Sequence, residues 1–239
     1  FTKFLSSKTD SIYLQKSLNK QAKNYQKSLK FDESYAPKIA VIDQFKNNVI
    51  KVDWDNKPDM LHGDAVESFI KSGLPNAQIS RFDTNLNESS VQSALAEILR
   101  SDVVFDAINL SKSSDIKLSN LSKLVGFEVS HENLLKDKDI IKEKFFNSPY
   151  KEAQEIKDII SSLEKLASQG VKIYVSAGNK GHDYLNLYTL ADNINVVGAA
   201  NKYGVAKTQF SCDNQLVNRW SKGVYAVKKL TDKDGNKGF

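Results

Sequence analysis

The chain has 239 residues, a length that suits one large domain or a domain with an appendage. Lys and Arg number 34 against 29 Asp and Glu, and the resulting charge of +5 is spread along the chain. With no basic block interleaved with aromatics, a nucleic-acid partner is not expected. The apolar share of 40% and charged share of 26% are ordinary for a globular fold with a real core. A single cysteine, Cys212, excludes an internal disulfide and any multi-cysteine metal site, without fixing the compartment. No apolar run approaches the ~18 residues of a membrane span. The chain opens on Phe1 and shows no signal peptide, as a mature form or a fragment would.

Residues 9–31 carry Leu14, Leu18, Ala22, Tyr25 and Leu29 at helical spacing, predicting an amphipathic helix. After the break at Ser34 to Pro37, KIAVID (38–43) is a short apolar strand ending in a carboxylate. NVIKV (48–52) reads as a second strand, and GDAVESFIKSG (63–73) as a helix stopped by Gly73. AQISRF (77–82) alternates as a strand does, and the helix over 87–101 opens on an Asn87 cap. VVFDAINLS (103–111) reads as a buried strand. The helix over 152–170 has Ile156, Ile159, Ile160, Leu163 and Leu166 on one face and Gly170 at its end. VKIYVSA (171–177) and INVVGAA (194–200) are two further apolar strands.

Strands alternating with helices predict an α/β fold, a doubly wound, mostly parallel sheet with helices on both faces. The expected organisation is an N-terminal helical extension over 1–36 and one domain over 37–239. A charged insertion or surface subdomain falls at about 114–150 within it. Working residues of such sheets lie just past the carboxyl ends of the strands.

Three residues at such ends could act together. Asp43 ends the first strand, His62 opens the first core helix, and Asn179 follows the strand 171–177. A carboxylate that orients an imidazole, an imidazole that takes a proton, and an amide that donates to an oxyanion form a set for acyl transfer. At a helix N-terminus the dipole disfavours a cation, so His62 is expected to be neutral and basic. Singly, each also reads as an ordinary structural residue: a turn-forming Asp, a structural His, an Asn suited to positive φ. His131 in the charged stretch and His182 after Gly181 read as surface histidines, and the spacing of the three histidines predicts no zinc site.

In their order these segments resemble the subtilisin-like serine proteases. IAVID is similar to that family's aspartate strand, HGDAV to its histidine motif, and VSAGNKG (175–181) to its oxyanion-asparagine motif. AINLS resembles the strand leading into the substrate-binding edge, NVVGAAN followed by QFSC the segment beyond, and KGVYAV (222–227) a late strand. The resemblance, over about 36–227, implies that Asp43 orients His62, that His62 is the base and that Asn179 is the oxyanion donor. It further implies Ser111 and Gly178 as substrate-binding residues and a protein or peptide substrate. An extracytoplasmic or secreted location follows from the same resemblance, as does a propeptide or a C-terminal segment of the protein itself as partner. No cofactor is expected; calcium is frequent in the family, but no Asp-rich loop is present to anchor it.

The sequence departs from the family at three points. Gln44 and Phe45 follow Asp43 where a small polar residue and glycine are usual, and the substrate-pairing strand reads LSKSSD. No G-T-S-x-A nucleophile motif occurs, and Ser111, Ser176 and Ser211 do not sit in a strand-to-helix elbow. Two expectations result: a serine endopeptidase whose nucleophile lies beyond this chain, or a catalytically inactive relative kept as a binding or scaffold module.

Overall fold

The computed structural model describes residues 35–45, 61–84, 87–201, 206–223, 230–231 and 237–238. The helix expected over 9–31, the strand expected over 48–52 and most of 222–227 lie outside the described residues. The strands of the main sheet are β1 (Lys38–Asp43), β2 (Gln78–Asp83) and β3 (Ala107–Leu110), then β5 (Lys172–Ser176), β7 (Asn195–Ala200) and β8 (Arg219–Lys222). Two short strands, β4 (Asp115–Lys117) and β6 (Tyr184–Asn186), form a separate antiparallel pair. The helices are α1 (His62–Gly73), α2 (Glu88–Arg100), α3 (Leu118–Val125), α4 (Lys138–Phe146) and α5 (Ala153–Ser168).

The main sheet runs in the order β2-β1-β3-β5-β7-β8, with every neighbouring pair parallel. Its carboxyl ends therefore share one edge. Side-chain alternation along β1 explains the two helix layers. Ala40 and Ile42 pack with Val91, Leu95, Ile159 and Leu163 of α2 and α5, while Ile39 and Val41 face Val66 and Ile70 of α1. Asn87 caps α2 as its sequence predicts, its side chain accepting from the Ser90 N–H at 2.8 Å.

Two expectations need correction. The strand expected from residue 103 begins only at Ala107, because pairing with β1 starts at Ile39. Ahead of it Val103 and Val104 are exposed, Val104 at 78%, and only Phe105 of that apolar run enters the core. The charged stretch 114–150 is not a surface subdomain: Leu121, Val125, Leu134, Ile141 and Phe145 enter the same core as α5. Lys117, Lys123, Lys136 and Lys144 are exposed while Lys138 and Lys142 fold onto Asp192, which is why charge alone misplaced the segment. Among the described residues, no helix is long and apolar enough to cross a membrane.

Candidate active site

The carboxylate of Asp43 is formed by the turn that leaves β1. Its Oδ1 accepts from the Gln44 N–H at 2.7 Å, and the Asp43 carbonyl accepts from the Thr84 N–H at 2.9 Å. Phe45 turns into the small core beside Ile39 and Val41, and its N–H donates to Asp83 at 2.9 Å. These bonds leave Asp43 buried with Oδ2 aimed outward. Oδ2 lies 2.8 Å from Nδ1 of His62.

His62 reaches that position because α1 starts hard against the β1 turn. The Gly63 N–H donates to the Gln44 carbonyl at 2.9 Å. A side chain at residue 63 would stand 2.7 Å from that carbonyl and 2.8 Å from the Phe45 ring, so the approach requires glycine. The imidazole is 63% exposed while its aspartate is 4% exposed, which leaves Nε2 turned to solvent. The Asp43 hydrogen bond raises the His62 pKa above its ordinary 6.5, against the opposing effect of burial. At the start of α1 the Asp43 carboxylate therefore favours the protonated ring.

Asn179 leaves the same sheet edge two strands away, exposed in the loop after β5. Gly178 and Gly181 take φ of 101° and 84°, conformations that suit glycine. The loop is clamped by the Cys212 N–H on the Gly178 carbonyl at 3.0 Å and by the Gly181 N–H on the Phe210 carbonyl at 2.8 Å. Gly178 is itself buried, and a Cβ there would lie 2.5 Å from Asp115 Oδ1 and 3.0 Å from the Cys212 sulfur. Ser111 directly follows β3, between the strands of Asp43 and Asn179, and its hydroxyl donates to Asn109 at 2.8 Å. The Ser176 and Ser211 hydroxyls are engaged by the carbonyls of Lys112 and Cys212. Burial pushes the Cys212 thiol up, which keeps it protonated and a poor nucleophile.

The LSKSSD stretch is held from within. Asp115–Lys117 pairs antiparallel with Tyr184–Asn186. Asn186 is fully buried, accepting from the Ser114 N–H at 3.0 Å and donating to the Ser176 carbonyl at 2.7 Å. It ties the exit of β3 to the exit of β5, and sequence reading missed it because its partners lie 72 and 10 residues away. A second imidazole–carboxylate pair was also missed: His182 Nδ1 lies 2.8 Å from Asp213 Oδ1, with His131 stacked on His182 at 3.8 Å between ring centroids. His182 is exposed and His131 half-buried, in keeping with the surface reading, while loops distant in sequence bring their rings into contact. The cluster of two imidazoles and one carboxylate does not suit calcium, which takes six to eight oxygens.

No family model and no curated protein sequence matches the chain. Among solved structures, it is similar to a cold-adapted subtilisin-like serine proteinase. The identity is 15% over 87% of this chain and 69% of that one, with a TM-score of 0.51. It also matches the nisin leader peptidase NisP from Lactococcus lactis at 14% identity and TM-score 0.49, covering 79% of this chain. The prenylagaramide maturation protease PagA matches at 14% identity and TM-score 0.47 over 78% of this chain. The chain spans 63% of the length of each of these last two. The fold defined by the parallel sheet is subtilisin-like.

Proposed function

We propose that this chain supplies the aspartate, the general base and the oxyanion donor of a subtilisin-type serine endopeptidase. Its nucleophile is a serine outside residues 1–239, which contain no G-T-S-x-A motif. The observation that carries the reading is the 2.8 Å bond from Asp43 to the Nδ1 edge of His62, at a strand end of a subtilisin-like sheet. That bond leaves Nε2 as the basic nitrogen.

In this reading the serine Oγ attacks the peptide carbonyl while His62 Nε2 takes its proton. Asp43 steadies the imidazolium, and the Asn179 amide donates to the oxygen that becomes negative. The imidazolium then protonates the leaving amine, and water hydrolyses the acyl-enzyme with His62 again the base. Ser111 and Gly178, just past the ends of β3 and β5, contact the substrate, which is a protein or peptide. The location is extracytoplasmic, and a propeptide or a C-terminal segment is the natural partner.

A second reading, a catalytically inactive binding module, draws support from the lack of a G-T-S-x-A motif in residues 1–239. Peptide-library cleavage by the natural full-length protein separates the two. The protease reading expects cleavage that His62→Ala reduces by a factor on the order of 10⁶, as for subtilisin itself. A folded natural protein without cleavage, or cleavage indifferent to His62→Ala, refutes it.

A further inference from the structure

Away from Asp43 and His62, three potential metal ligands converge from distant parts of the chain. His131 lies between α3 and α4, His182 follows the Asn179 loop, and Asp213 precedes β8. One ligand atom from each lies within 4.8 Å of the other two. We propose that His131, His182 and Asp213 form a zinc site that clasps the Asn179 loop to the α3–α4 connection and to the segment before β8. The proposal is independent of the protease reading.

The donor chemistry points to a first-row divalent ion, since imidazole nitrogen with one carboxylate suits zinc better than a hard oxygen-seeking cation. His131 Nε2 is buried and has no hydrogen-bond partner, an arrangement that an unligated ring nitrogen does not normally tolerate. His182 Nδ1 and Asp213 Oδ1 are 2.8 Å apart, a hydrogen bond that lengthens to the roughly 3.3 Å edge of a zinc tetrahedron, with bonds of about 2.0 Å, when the metal enters. Zinc takes the place of the hydrogen bond between that pair, the His182 ring then carrying its single proton on the solvent-facing Nε2. His131 Nε2 provides the third bond and water the fourth. The parallel stack, at 12° between ring planes, must open so that the metal lies in both planes. The His182 side chain is 64% exposed, which leaves it free to turn.

Lys207 is the competitor. Its ammonium pairs with Asp213 Oδ2, neutralising charge that the metal would use. Glu132, next to His131 in the chain, adds negative charge nearby. Lys207 therefore tunes affinity without taking a ligand position.

Calorimetric titration of zinc chloride into the 239-residue chain tests the site, with X-ray absorption at the zinc edge counting imidazoles. The expected result is one zinc per chain with two histidine nitrogens, weakened at least tenfold by His131→Asn and by Asp213→Asn. Lys207→Met, at an exposed side chain, is expected to tighten binding severalfold. Circular dichroism of the metal-free variants checks that each is folded. Absence of zinc binding, binding that His131→Asn leaves within twofold, or unchanged affinity in Lys207→Met overturns the proposal.

Discussion

The His62 ring is pulled by two opposing influences, a carboxylate that favours its charge and partial burial that disfavours it. The hydrogen bond to Asp43 wins and raises the pKa above 6.5. The stabilising effect of this pair is complete below the unfolded value of 6.5 and disappears as pH rises through the higher folded value. Two-dimensional NMR titration should place His62 above 6.5 and show a lower value in Asp43→Asn; a ring titrating at or below 6.5 contradicts the dyad. Gly63→Ala should cost about 1–3 kcal/mol in chemical denaturation, because the new methyl meets the Gln44 carbonyl and the Phe45 ring. The residues around β1 and α1 were legible because strand end and helix start are local signals. Asp213 and Asn186 were not, since each acts through groups that only the folded chain brings near.

At the level of elements, the strands β1, β5 and β7 and the helices α2 and α5 follow their apolar periodicity almost to the residue. The errors arose where periodicity and charge gave different answers. Residues 103–106 are apolar in part but precede the sheet, and the Lys-rich segment with α3 and α4 buries one face in the main core. Asp192 joins those helices to the rest: Lys138 and Lys142 hold it at 2.6 and 2.7 Å, and Lys142 also reaches Glu164 at 2.9 Å. Burial alone would raise the Asp192 pKa, but the two lysine hydrogen bonds bring it down to about 2. Its contribution is present above the unfolded value of 3.8 and lost as pH falls through about 2. Lys138→Met with Lys142→Met should therefore flatten the pH dependence of unfolding below pH 4, measured by urea denaturation. Asn186→Ala should destabilise by about 2–3 kcal/mol, since it orphans the Ser114 N–H and the Ser176 carbonyl.

Across the whole molecule, the parallel order of the main sheet carries the ends of β1, β3 and β5 to one edge. That geometry gathers Asp43, Ser111 and the loop of Asn179, residues spread over more than half the chain. The alternating pattern of strands and helices made this edge foreseeable. The closure of residues 115–117 by β6 was not, because the pair joins segments about 70 residues apart with three residues each. The most direct test is a fluorophosphonate probe on the natural full-length protein, with the labelled peptide identified by mass spectrometry. The account predicts one labelled serine outside residues 1–239, with labelling slowed by orders of magnitude in His62→Ala. A folded protein that takes no label, or one labelled equally fast without the imidazole, contradicts it.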